Sequence, residues 1–389
     1  MSATQPSQWT TVSILSLSTV SSISTVITGL IPQLTKQFPQ VPTTVIEWLV
    51  TIANLSALIT LLINPQLTQK FGIRPVVISG LLLSAVAGAF PMLSTNFTLI
   101  MLSRGILGLG IGLFSPHAIS LIAHVYHGDR RARLLGYQTG LSALGNAVLL
   151  ALAGWLVVIS WQAVFWLYLV LALIAVLVWR FVPETNDQTS TTKIGHAKLP
   201  LSHWGLAGLT FITYLLIWGV QLKLPSLFAD RHFGDASSLN WTLAAMNLGG
   251  LVAGLTFGRL HKHLHRYTLT LGYSGAALSV ALLWVTHQAT IAMGAAIFFN
   301  FIYSYTGPYL VFTSNSGLAD AQINTMSSYL TIATIISAFF APLVWNLLGK
   351  WGPGMLTDNV MLWITLILAL IAVASVLKPI RKGLIPHGK

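Results

Sequence analysis

Charge is what this chain has least of. Only 7% of its 389 residues are Asp, Glu, Lys or Arg, where soluble domains carry roughly a quarter, so a water-facing surface cannot be built from it. Cysteine is absent altogether, which excludes a disulfide framework, thiolate metal sites and a cysteine nucleophile. The order G-x-x-x-x-G-K-[ST] does not occur, nor do H-E-x-x-H or G-x-S-x-G, so ATP-driven pumps and membrane hydrolases lack their residues. Acidic residues number only eight, against twenty Lys and Arg, for a formal charge of +12. A nucleic-acid groove would need those cations on one soluble face, but they lie in short segments between apolar runs, and no nucleic-acid partner is expected.

What is present is apolar sequence: 54% of the residues are hydrophobic, in stretches of about 20 residues, long enough to cross a bilayer core of ~30 Å. The expected helices are Val12 to Leu34, Thr43 to Ile63, Val76 to Leu93, Phe97 to Ala123, Leu134 to Val158 and Trp161 to Phe181. Six more follow at Trp204 to Leu222, Leu239 to Phe257, Leu269 to Val285, Ala289 to Phe312, Met326 to Leu348 and Val360 to Leu377. The first stretch has no Lys or Arg before it and exceeds signal-peptide length, so it reads as a helix rather than a cleaved leader. The fold class is therefore all-α integral membrane, with about twelve transmembrane helices. The polar stretch "PETNDQTSTTKIGHAKLP" divides it into a six-helix bundle over residues 1–182, a linker over 183–200 and a second six-helix bundle with a short tail over 201–389. A short basic loop follows the second helix of each half, "QKFGIRP" and "GRLHKHLHR", and such parallel repetition is a transporter-fold signal.

Several motifs give this pattern a family. The loop "PQLTQKFGIRPVV" resembles the signature G-x-L-a-D-r-x-G-r-k of the major facilitator superfamily: Leu67, Lys70, Gly72 and Arg74 match, while Pro65 replaces the first Gly and Gln69 the acid. The fourth stretch carries "RGILGLGIG", similar to the family's R-x-x-x-G-x-G at Arg104, Gly108 and Gly110. The fifth, "GYQTGLSALGNAVLLALAG", resembles the antiporter element of drug exporters at Gly136, Gly145 and Gly154, but has Leu149 and Leu150 where that element has Gly-Pro. The resemblance is to the twelve-helix drug:proton antiporter branch. It implies the major facilitator fold and a secondary active transporter, not an enzyme, working by alternating access, with proton-coupled efflux of amphipathic organic compounds as the first expectation. A uniporter or uptake symporter for a small organic solute, or a lipid-flipping variant of the fold, are the alternatives. The implied partners are a small-molecule substrate, protons and membrane lipids, with no cofactor and no metal, in a monomer of the plasma membrane. In such a transporter Lys70, Gly72 and Arg74 would form the conformational loop.

Of the acids, only Glu47 falls inside an expected span. Buried away from water it would favour the protonated form, as a proton carrier requires, whereas Arg104 at similar depth would hold it ionised; beside Trp48 it could also simply anchor the helix end among headgroups. Arg104 itself, a charge within a span, is expected in gating or coupling, and His117 after Pro116 is a further coupling candidate. Lys223, at the expected outer end of its helix, can snorkel to the interface. His261, His263 and His265 read as a solvated loop face. Midway along the spans Thr25, Asn54, Asn146, Tyr214, Trp218, Asn247, Asn300, Tyr303 and Ser337 are either interhelical hydrogen bonds or a substrate site near the midplane. Their mixture suits a neutral or amphipathic organic molecule.

With the N-terminus inside, the alternate loops and the tail on that side hold fifteen Lys and Arg, and the opposite side only Lys36, Arg231 and Lys350, which by the positive-inside rule places both termini in the cytoplasm. A single cysteine introduced between Pro183 and Pro200 should therefore escape an impermeant maleimide in intact cells and react after permeabilisation. Reaction in intact cells would contradict this topology.

Overall fold

Hydrocarbon offers no partner to a backbone N–H or C=O, so a chain this apolar must close its hydrogen bonds within helices or a barrel. The computed structural model, which describes residues 7–126, 128–184 and 199–377, is built of helices with no strand among those residues. Eleven helices among them are long and apolar enough to cross a membrane, or twelve when the bent pair Gln8–Thr19 and Ile23–Gln37 is one span. Residues 185–198 of the expected linker and the tail after Leu377 lie outside the described residues.

The described residues of Met1–Val41 and Trp48–Thr191 form one compact unit, and those of Pro42–Glu47 and Thr192–Lys389 another. In chain order the first unit carries α1 (Gln8–Thr19), a 3-10 segment (Ile23–Leu30), α2 (Ile31–Gln37) and α3 (Thr43–Phe71), whose first turn belongs to the second unit. It continues with α4 (Ile73–Ala89), α5 (Phe97–Phe114), α6 (His117–Val125), α7 (Gly128–Ile159), a 3-10 stretch (Gln162–Leu169) and α8 (Val170–Phe181). The second unit holds α9 (Leu201–Asp230), α10 (Ala236–Leu264), α11 (Tyr267–Val285), α12 (Ala289–Tyr303), α13 (Thr306–Asn315), α14 (Asp320–Leu348) and α15 (Leu356–Leu377). Within the first unit α4 packs on α5 and α8, and α1 on α7; within the second α9 packs on α14, and α11 on α12 and α15.

Several expected spans are broken, each for a local reason. The first bends by 41° through a Ser/Thr-rich stretch in which Ser21, Thr25 and Thr28 hydroxyls donate to the carbonyls of Ser18, Ser22 and Thr25, the local competition that bends helices. The fourth breaks into α5 and α6 at Ser115 and Pro116. Pro116 has no N–H for the Gly112 carbonyl, and Asn64 Nδ2 donates to that carbonyl instead, at 2.9 Å. The tenth breaks at Ser304 and Tyr305, just before Pro308, which cannot donate to Ser304. The two basic segments expected as loops are largely helical: α3 runs to Phe71 and α10 to Leu264. Gly72, at φ 85°, suffices to turn α3 into α4, a conformation that costs a residue with a Cβ. Asp235 caps α10, its Oδ1 accepting the Ser238 N–H at 2.8 Å, and this bond holds its carboxyl below the usual range.

The R-x-x-x-G-x-G glycines act by close approach. A Cβ on Gly108 would run into the Ala53 carbonyl of α3, and one on Gly110 would stand 2.6 Å from the Gly80 carbonyl of α4. Small residues permit such backbone contact between membrane helices. Gly145, from the antiporter-like element, meets the Thr19 backbone of α1 in the same way.

Candidate functional site

Two buried cations organise two polar clusters. In the first unit Arg104, fully buried on α5, points its guanidinium in three directions: Nε donates to the Leu49 carbonyl at 2.9 Å, one terminal nitrogen to the Tyr168 hydroxyl at 2.6 Å and the other to the Ser24 carbonyl at 2.7 Å. Tyr168 in turn donates to the Ile23 carbonyl at 3.1 Å. Arg104 and Tyr168 thus hold two carbonyls at the start of the 3-10 segment, where hydrogen-bond geometry is poorer than in an α-helix. Every one of these acceptors is neutral, so the arginine braces the bent first span rather than pairing with an acid.

In the second unit Lys223 of α9, 1% exposed, places Nζ 2.6 Å from Glu47 Oε1, itself fully buried in the first turns of α3. Asn346 of α14 closes the ring: its Oδ1 accepts from Lys223 at 2.8 Å, and its Nδ2 donates to Glu47 Oε2 at 2.7 Å and to the Pro342 carbonyl. Both carboxylate oxygens are engaged and the charges cancel. This geometry corrects the reading of Lys223 as a snorkelling helix end: α9 continues to Asp230, leaving Lys223 in its interior. It also removes Glu47 from an exposed headgroup position. Neither Lys223 as partner nor Asn346 was found from sequence. The available signal was charge balance, since Glu47 was the one acid in an expected span and Lys223 one of two cations near a span with no loop to occupy.

The remaining candidates divide. In the first unit Thr25 donates to Asn146 Oδ1 at 3.2 Å, and Ser24 to Asn54 Oδ1 at 3.3 Å, which gathers Thr25, Asn54 and Asn146 around the 3-10 segment. His117 opens α6, 5% exposed, with Nε2 2.8 Å from Asn64 Oδ1. Because Asn64 Nδ2 donates to the Gly112 and Leu113 carbonyls, Oδ1 is the acceptor and His117 Nε2 carries the proton. In the second unit the polar atoms of Asn300, Tyr303 and Ser337 turn into helix packing, toward the carbonyls of Met246, Thr213 and Thr334. Asn247 Nδ2 donates to the Leu243 carbonyl, and Trp218 is half-buried. Of the nine, Tyr214 lines a cavity of the second unit. In the basic segment Lys70 lies over the Phe71 ring, while Arg74 donates to the Trp179 carbonyl and pairs with Glu184 at 3.3 Å. Its acidic partner comes from beyond the end of α8 and not from the loop, where Gln69 stands.

Arg104→Lys keeps the charge but cannot reach three divergent acceptors with a planar fork, and each hydrogen bond to a charged group is worth about 1.5–3 kcal/mol. The thermal unfolding midpoint in detergent should fall for Arg104→Lys, and by less for Tyr168→Phe. An unchanged midpoint for Arg104→Lys would contradict the bracing role.

The chain is 25% identical over 213 residues to the multidrug transporter mfsC of Aspergillus fumigatus, a match covering 54% of this chain and 37% of that protein. It is 29% identical over 207 residues to the multidrug transporter protein MdtP of Bacillus subtilis, covering 53% and 36%. The matches thus span little more than a third of these relatives' length. In fold it is similar to the inward open xylose transporter XylE from E. coli, with a TM-score of 0.71 at 14% identity over 98% of this chain and 96% of that one. The sequence profile of the Major Facilitator Superfamily matches residues 12–342, from the bent first span through α14 as far as Pro342, and the chain belongs to that superfamily of multi-pass membrane transporters.

Proposed function

We propose that the protein exports amphipathic organic compounds in exchange for protons by alternating access, with Glu47 as the proton carrier. The moving parts would be the bundles of residues 1–182 and 201–389, joined by a cytoplasmic linker over 183–200, in a monomer of the plasma membrane with both termini cytoplasmic. The observation that carries this reading is the Glu47–Lys223 pair: Glu47 is the only acidic side chain buried among the described residues, and a cation meets it at 2.6 Å. Ionised, Glu47 balances Lys223. Protonated, it leaves an ammonium without a counter-charge in a dry site, which is costly, and the hold of α9 and α14 on the first turns of α3 weakens. A proton then biases a two-state contact, as coupling requires. Organic cargo is the class that the multidrug names of mfsC and MdtP favour.

A second reading, uniport or uptake symport, draws support from α7, a single helix over Gly128–Ile159 with Leu149 and Leu150 in place of the Gly-Pro pair. Proton movement in proteoliposomes, driven by one uncharged and one cationic amphipathic dye, separates the two. Wild type should move protons with dye, and Glu47→Gln should lose gradient-driven accumulation while keeping dye exchange at equal concentrations. Unchanged coupling in Glu47→Gln would remove the carrier role, and absence of coupling in wild type would favour uniport.

A further inference from the structure

Helices α9, α13 and α14 line a half-open cavity of about 290 Å³ in the second unit, at the small end of ligand pockets, which start near 300 Å³. Its lining comes from all three helices: Thr210 and Tyr214 from α9, Gly307 and Val311 from α13, Ser327, Thr331 and Thr334 from α14. None of its lining residues is charged, so a bound ion would meet no counter-charge.

The hydroxyls are not equivalent. Thr210, Thr331 and Thr334 already donate their protons to the carbonyls of Leu206, Ser327 and Thr331, at 2.9, 2.9 and 2.8 Å, so toward the cavity they can offer only lone pairs. The Tyr214 hydroxyl, in contrast, meets no hydrogen-bond partner among the described residues and still has its proton to give, as does that of the exposed Ser327, the other lining hydroxyl. Gly307 stands beside Tyr214: a Cβ there would come within 3.3 Å of the phenol oxygen, in space that glycine leaves clear. A half-buried phenol without a protein partner, set on a cavity wall, is a donor open to an acceptor on a bound molecule.

We propose that this cavity binds an uncharged organic molecule with an apolar body, held by a hydrogen-bond acceptor placed on Tyr214. The inference rests on the reading of the protein as a carrier of amphipathic compounds and narrows that class to uncharged, acceptor-bearing ones at this site.

The cysteine-free chain permits a direct assay. Val311→Cys forfeits no hydrogen bond and places one thiol on the cavity wall, whose labelling by N-ethylmaleimide can be followed in detergent. Three bicyclic probes of matched shape discriminate the chemistry: coumarin carries a carbonyl acceptor, naphthalene has none, and N-methylquinolinium carries a positive charge. At matched free concentrations coumarin should slow labelling, and naphthalene and N-methylquinolinium should not. Adding Tyr214→Phe, which keeps the ring and breaks no internal hydrogen bond, should raise the coumarin concentration for half-protection about two- to tenfold. Protection by none of the probes, equal protection by coumarin and naphthalene, protection by the cation, or an unchanged coumarin requirement in Tyr214→Phe would each overturn the proposal. The assay needs no gradient and leaves Glu47 intact, so its failure removes this site without touching proton coupling, and a failure of coupling leaves its result standing.

Discussion

Inside a bilayer a polar group that finds no partner in the protein finds none at all, and the two buried cations of this chain show two ways of meeting that demand. Lys223 is matched by opposite charge, with Glu47 at 2.6 Å and Asn346 filling the remaining bonds of both. Arg104 is matched by geometry, its three nitrogens directed at two carbonyls and a phenol. The first arrangement can be altered by one proton, because Glu47 can gain one. The second contains no carboxylate, only a guanidinium, two carbonyls and a phenol. The proposed coupling therefore rests on Glu47 and not on Arg104, whose bonds hold the bent first span.

The same demand explains where helices break. A proline removes one donor, and the freed carbonyl needs another. After Pro116 the supply comes from Asn64 on α3, and His117 then completes the amide of Asn64. The glycines of α5 let α3 and α4 come close enough for such side chains to reach: Thr60 donates to the Leu109 carbonyl at 2.8 Å across the contact that Gly108 and Gly112 permit.

The number and placement of the spans were legible in the sequence because apolar length is a one-dimensional property, and hydropathy fixes it residue by residue. The glycine motifs were legible as motifs, although which neighbour each glycine admits was not. Breaks within spans were harder to see, since hydropathy averaged over a span stays apolar despite the Ser and Thr of Ile23–Leu30 and the polar residues around Ser304. The ends of α3, α9 and α10 were set too short because Lys70, Lys223 and Lys262 suggested loops, whereas helices carry such residues past the apolar run. That error hid the partner of Glu47. Pairing is a three-dimensional property, and nothing local to residues 47, 223 and 346 announces that they meet. Among the polar mid-span residues, Tyr214 and Tyr303 look alike in sequence. Packing alone separates them, with one phenol at a cavity and the other on the Thr213 carbonyl.

The account turns on Glu47 and Lys223 acting as one unit, and a double-mutant cycle on unfolding stability in detergent measures that directly. Removing one partner of a buried ion pair strands the other charge at a cost of about 3–5 kcal/mol, whereas replacing both can be nearly neutral. Lys223→Gln alone should be strongly destabilised, and Glu47→Gln combined with Lys223→Gln should recover most of that loss. Additive effects of the two substitutions would contradict the pairing on which the account depends.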